Sequence, residues 1–376
     1  MLMHKLLASL LGVVLVFSII TADAEELELN GKSFILMECD TGQILYEQNA
    51  DERLAPASVT KIMTMLLMME AIDRGEITYD TVVTASERAK SMGGSTIFLD
   101  TGEQMTVNDL LKGIAVASGN DACVAVAEHL SGSVEQFVAV MNNRAKELGM
   151  VNTNFVTCNG LDDDNHYSSA RDIALMSREL LKHEDIFRYT TIWMDSLRDG
   201  AFQLANTNKL IRFYAGANGL KTGSTSKAKN CISATAKRDN LQLCAVVLGS
   251  DTSQLRFNAA TTLLNYGFNN FSVSGMKKGE AVGEIVIKKG EKESVKAILE
   301  DDCMVIVPKA QGGNIKKNIT LTECIEAPVK EGDKIGEISI VTESGEKVIK
   351  NIVAQKDIEK VKFGTMYVKI LRKWCA

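Results

Sequence analysis

From Ser58 to Asp73 the chain reads Ser-Val-Thr-Lys-Ile-Met-Thr-Met-Leu-Leu-Met-Met-Glu-Ala-Ile-Asp, a stretch of about four helical turns that is apolar almost all round. A helix without a polar face must be covered on every side, so it marks the centre of a domain. Gly75 is placed to stop it. Its methionines read as core filler rather than as a metal or cofactor box. Covering such a helix takes a sizeable domain. With 376 residues, 45% of them hydrophobic and 24% charged, the chain can supply one large core and a smaller second domain. Disordered and fibrous classes are excluded by the same numbers.

The flanking patterns say what covers the helix. Phe34 to Glu38 and Ile44 to Glu47, around an Asp40-Thr41-Gly42-Gln43 turn, predict a hairpin. Val107 to Ala117 and Asp121 to Leu130 predict two helices, capped by Thr106 and Asp121 and joined by a turn at Ser118-Gly119-Asn120. Gly219 to Gly223, Cys231 to Lys237 and Leu241 to Gly249 predict successive strands, and Thr252 to Phe268 a returning helix. Strands at both ends with helices between and after imply an α+β domain, an antiparallel sheet covered by helices, over residues 25–272. Residues 273–355 change to short apolar runs between Lys/Glu/Gly turns, which predicts a small all-β domain serving as a spacer or stand.

The ends of the chain read as addresses. His4 and Lys5, the apolar run Leu6 to Ile20 and Ala22-Asp23-Ala24 form a signal-peptide pattern over residues 1–24, so an exported protein is expected. Over residues 356–376, Phe363, Met366, Tyr367, Ile370, Leu371 and Trp374 share one helical face beside Lys362, Lys369, Arg372 and Lys373. That pattern predicts an amphipathic helix on an anionic membrane surface, at the outer face of the cytoplasmic membrane. A net charge of -6 gives no global basic field and argues against nucleic acid. The eight cysteines, Cys39, Cys123, Cys158, Cys231, Cys244, Cys303, Cys324 and Cys375, lack tight spacing. Cys123, Cys231 and Cys244 lie in apolar stretches and read as buried small hydrophobes. No Cys/His pair has metal-ligand spacing, so neither a metal nor a cofactor is expected.

Three short elements carry chemistry. Ser58-Val59-Thr60-Lys61 opens the buried helix, and residues at i and i+3 share a face, so a lysine amine can reach a serine hydroxyl and serve as its base once burial lowers its pKa. The same spacing occurs at Ser224/Lys227, Ser226/Lys229 and Ser274/Lys277, but only Ser58 opens a long apolar helix. Ser118-Gly119-Asn120 sets a hydroxyl and an amide on a turn. Lys221-Thr222-Gly223 sets a cation and a hydroxyl on a strand, where the glycine would let a substrate backbone approach closely.

The three elements in this order resemble the active-site motifs of penicillin-binding proteins and serine β-lactamases. Asn159-Gly160-Leu161, His166-Tyr167-Ser168-Ser169-Ala170-Arg171-Asp172 and Leu255-Arg256-Phe257-Asn258 resemble the low-molecular-mass D-alanyl-D-alanine carboxypeptidases in particular. The resemblance covers residues 25 to about 270 and implies a β-lactamase-like catalytic domain. It further implies a peptidoglycan stem peptide ending in D-Ala-D-Ala as substrate, β-lactam antibiotics as covalent inhibitors, and an acyl-enzyme on Ser58 with Lys61 as base. Backbone N–H groups of Ser58 and Ser224 would form the oxyanion hole. Ser118 and Lys221 would pass the proton to the leaving D-alanine. Asn120 would bind the peptide, and Thr222 and Arg256 would hold its terminal carboxylate, with Gly223 lining the strand. His166 is expected to be structural.

Other readings fare worse. Asp40-Thr41-Gly42 suggests an aspartic protease, but that chemistry needs a second matched carboxylate and no second copy occurs. A class A β-lactamase would carry Glu-x-x-x-Asn ahead of the Lys-Thr-Gly strand, and none lies between Asn120 and Lys221. A non-enzymatic scaffold should have lost a motif. A transpeptidase or endopeptidase differs only in the acyl acceptor or the bond cut, and stays the nearest alternative.

Overall fold

In the computed structural model, which describes residues 27–311, 315–343, 345 and 347–362, five antiparallel strands form the central sheet. They are β1 (Ser33–Glu38), β2 (Ile44–Gln48), β3 (Ala217–Thr225), β4 (Lys229–Arg238) and β5 (Leu241–Ser250), lying in the order β2-β1-β5-β4-β3. β1 pairs with β5, Phe34 opposite Val247 and Glu38 opposite Leu243, so the two ends of the domain meet mid-sheet. Both faces of this sheet are buried, which explains why β5 is apolar at nearly every position. Cys244, Val246 and Leu248 face one core, while Leu243, Ala245 and Val247 face the other.

The larger core surrounds α1 (Lys61–Asp73), which buries ten of its 13 residues. Around it stand α2 (Val107–Ala117), α3 (Asn120–Ser131) and α4 (Ala170–Leu181). Across the sheet, α5 (Ser253–Asn270) lays Phe257, Ala260, Leu263, Leu264 and Phe268 on the smaller core. Gly267 lets it lie close, since a Cβ there would come 2.5 Å from Leu243.

Two expectations need correction. Ser58 lies not in the α-helix but in a single 3-10 turn, Ala57–Thr60, that delivers the chain into α1. Asp121 does not cap α3. The helix starts from Gly119, and the buried Asp121 carboxylate accepts from the N–H groups of Ile97, Leu99 and Ala122. Thr106 does cap α2, accepting from Asp109 N–H at 3.1 Å.

From Phe271 onward the described chain is strand and turn, apart from one 3-10 turn at Lys309–Gln311. β6 (Phe271–Met276) pairs with β9 (Cys303–Pro308). The remaining strands are β7 (Ala281–Lys288), β8 (Ser294–Leu299), β10 (Ile315–Leu321), β11 (Cys324–Glu326), β12 (Lys334–Thr342) and β13 (Lys347–Ala354), in the order β10-β12-β13-β8-β7-β11. This all-β unit has its own core around Val305, Ile338, Ile340 and Ile352. The expected signal segment, Cys375 and the apolar face Phe363 to Trp374 lie outside the described residues. The seven described cysteines are free thiols, six of them buried. Among the described residues no helix is long and apolar enough to cross a membrane.

Candidate active site

The turn that carries Ser58 is strained: Ala57 holds φ +49, a region that residues with a Cβ avoid. Ser58 is half-buried, and its N–H, near the start of a 3-10 turn, has no acceptor within that turn. One turn on, Lys61 is fully buried. Its Nζ lies 2.8 Å from Ser58 Oγ, 2.6 Å from Asn120 Oδ1 and 2.6 Å from the Asn159 carbonyl oxygen. The two amide oxygens can only accept. A neutral amine has two N–H bonds, and directing both at these oxygens aims the nitrogen lone pair at the Ser58 hydroxyl. Burial lowers the Lys61 pKa from its ordinary 10.5, which favours the neutral form.

Each acceptor is itself held. Asn120 donates from Nδ2 to Gly93 O at 2.7 Å and from its backbone N–H to Ser95 O at 2.7 Å. Its side-chain oxygen is therefore committed to Lys61 rather than to a substrate, leaving one amide hydrogen for a peptide carbonyl. Asn159 is placed by Gly160, whose φ is +85 and whose missing Cβ would collide with Ala57 O. His166 locks the same loop. Its Nδ1 accepts from Val156 N–H at 3.0 Å and Thr157 N–H at 3.2 Å, so Nε2 carries the proton and donates to Thr60 Oγ1 at 2.8 Å. Thr60 in turn donates to Ala57 O.

On the opposite wall, β3 carries Lys221, Thr222, Gly223 and Ser224. Gly223 makes room for the chain itself: a Cβ there would lie 2.8 Å from Pro56 O and 2.9 Å from Ser58 N. This contact sets the Ser58 backbone against the strand. Lys221 is fully buried, and its Nζ donates to Thr222 O at 2.9 Å. Burial, then the Lys61 charge, push its pKa well below the ordinary lysine value. Thr222 Oγ1 donates to Thr207 Oγ1 at 2.8 Å. Ser118, buried at the end of α2, takes a left-handed φ of +65. Ser224 is exposed at the mouth.

Arg256, one turn into α5, reaches under β3 and donates from Nη1 to Gly223 O at 3.1 Å and Cys231 O at 3.2 Å. It therefore braces the strand from behind. Its buried Nε has no partner, and burial lowers its pKa to about 10. Among the described residues no carboxylate forms an ion pair with Lys61, Lys221 or Arg256. The competing Ser/Lys spacings are surface features: Lys227 pairs with Asp164, and Lys229 lies 3.5 Å from Asp251. Sequence reasoning gave no role to the Asn159 carbonyl, Gly160 or the segment Gly93–Leu99. The first two contribute backbone geometry, which residue type signals only through an isolated glycine.

The sequence pattern of a family described as D-alanyl-D-alanine carboxypeptidase matches residues 20–252, and that of the penicillin-binding protein 5 C-terminal domain matches residues 272–360. The chain is 43% identical to the D-alanyl-D-alanine carboxypeptidase DacF of Bacillus subtilis over 99% of both chains. It is 36% identical to DacC of Escherichia coli over 82% of this chain and 80% of that one. Among solved structures, penicillin binding protein 5 from Haemophilus influenzae superposes with a TM-score of 0.74 at 32% identity, covering 90% of this chain and 100% of that one. Penicillin-binding protein D2 from Listeria monocytogenes, in its ampicillin-bound form, does so with a TM-score of 0.60 at 32% identity, over 65% and 99%.

Proposed function

The chain belongs to the D-alanyl-D-alanine carboxypeptidase family, and from that premise we propose that it removes the terminal D-alanine from peptidoglycan stem peptides through an acyl-enzyme on Ser58. The observation that carries this reading is the Lys61 amine, aimed at Ser58 Oγ by two acceptor oxygens at 2.6 Å. Ser58 Oγ attacks the carbonyl between the two D-alanines while Lys61 Nζ takes its proton. The Ser58 and Ser224 N–H groups stabilise the oxyanion. The C–N bond breaks, and Ser118 with Lys221 returns a proton to the departing amine. Water then adds to the Ser58 ester and frees the shortened peptide. A penicillin enters by the same attack and stays bound as the ester.

Lys221 and Arg256, the basic groups beside the neutral Lys61 amine, suit a substrate ending in a carboxylate. Lys61, Lys221 and Arg256 lie close enough for the first and last to depress Lys221, and none has an ion-pair partner among the described residues. Thr222 offers its hydroxyl at the cleft and Arg256 a long-range charge behind β3. The residues 25–272 act as the catalytic domain and 273–355 as its stand. Export through residues 1–24 and attachment of 356–376 to an anionic membrane would put the cleft beside the cell wall.

Incubation of the chain with a muramyl-pentapeptide, followed by mass analysis, tests the activity. Loss of one D-alanine is expected. A cross-linked product, or no change while a penicillin still binds, would move the assignment to a transpeptidase or a scaffold.

A further inference from the structure

Phe98 is 72% exposed, and its backbone is held at φ +56, a strained conformation for any residue with a Cβ. Four hydrogen bonds impose it. The buried Asp121 carboxylate accepts from Ile97 N–H at 3.0 Å and Leu99 N–H at 3.0 Å, one on either side. Arg198 donates to Ile97 O at 2.9 Å and Phe98 O at 3.1 Å, and is itself fixed by Glu103 at 2.7 Å. The ring touches Phe202 edge-on, with centroids 5.7 Å apart. The core gains little from a side chain so exposed, yet the backbone on both sides is clamped to present it.

The same segment is bonded to the catalytic cleft. Gly93 O and Ser95 O accept from Asn120, which holds Lys61, and a Cβ on Gly119 would lie 3.3 Å from Ile97 Cγ2. Phe98 follows Ile97 directly, one Cα step of about 3.8 Å along the chain, so its exposed ring stands on the segment that borders the Asn120 turn.

We propose that Phe98 is a substrate-binding residue, whose ring supports the stem peptide upstream of its terminal D-alanyl-D-alanine as that peptide leaves the cleft. The inference rests on the carboxypeptidase reading. The occupant follows from continuity: a peptide acylating Ser58 must run out past the Asn120 turn, and an exposed aromatic ring favours the apolar stems of such a chain.

The test compares a stem pentapeptide with N-acetyl-D-alanyl-D-alanine on the wild type, Phe98→Ala and Phe98→Trp. In Phe98→Ala the ratio of kcat/KM for the pentapeptide to that for the dipeptide should fall about tenfold through a raised KM, and Phe98→Trp should restore it. Equal losses on both substrates would show that the ring acts only through the loop, and unchanged kcat/KM on both would show that it touches no substrate. Either result overturns the proposal while the activity stands. A wild type that cleaves neither peptide removes the carboxypeptidase reading itself.

Discussion

Replacing Gly160 by alanine should disable the site without removing any group that takes part in the chemistry. A Cβ at this position would lie 2.5 Å from the Ala57 carbonyl carbon, closer still to its oxygen, and 2.8 Å from Thr60 Oγ1. Ordinary carbon contacts are about 3.5 Å, so the two backbones must part by about 1 Å. One of them carries Ser58 and the other the Asn159 carbonyl that orients Lys61, and a misplacement of about 1 Å in such a constellation costs about 100-fold in rate. Alanine at φ +85 adds a conformational cost of about 1–2 kcal/mol. Gly75→Ala separates the two effects, because Gly75 has φ +72 with nothing within 4 Å of a Cβ. Both variants should lose stability in urea, Gly160→Ala the more, but only Gly160→Ala should lose about 100-fold in the rate of acylation by a fluorescent penicillin. If the two acylate alike, the loop at 159–160 does not position the lysine.

Because burial lowers the Lys61 pKa and the neutral amine is the base, acylation should rise with pH through a limb below the ordinary lysine value of 10.5. A limb at that ordinary value in stopped-flow acylation would contradict the assignment. His166 has its pKa lowered from 6.5 to about 4, chiefly by burial. Its neutral form stabilises the fold fully above pH 6.5, and that stability is lost as pH falls from 6.5 to 4, by about 3 kcal/mol. Urea unfolding of the wild type and His166→Gln at both pH values should differ by this amount, and parallel pH dependence would refute the lock. For the C-terminal segment, the chain without its first 24 residues should pellet with anionic liposomes at low salt and release as ionic strength rises. A chain further truncated after Glu359 that pellets equally would end the membrane reading.

What the sequence made legible was whatever depends on side-chain pattern. The nearly all-apolar run from Ile62 to Met69 announced a central helix, and the mostly apolar run from Leu241 to Leu248 a strand. The order of the three motifs indicated which serine, among the several with a lysine three residues on, opens the cleft. What escaped depends on backbone placement. The Asn159 carbonyl is common to every residue type, and nothing in its letter marks it as the acceptor for Lys61. Asp121 had the residue type of a helix cap, yet its carboxylate serves a loop more than 20 residues away in sequence. Gly223 was rightly read as a point of close approach, but the approaching backbone is the protein's own Pro56–Ser58. Arg256 had the charge for a carboxylate, but its reach to Gly223 O and Cys231 O could be seen only once α5 was packed against β3.

The central claim is that Ser58 is the acylated residue, and peptide mapping of the penicillin adduct tests it most directly. The wild type and Ser58→Ala would be treated with benzylpenicillin, measured as intact chains and then digested for fragment mass spectrometry. One penicilloyl group per wild-type chain is predicted, located on Ser58, with no adduct on Ser58→Ala at matched exposure. An adduct that persists in Ser58→Ala, or that maps to Ser118 or Ser224 in the wild type, would contradict the account.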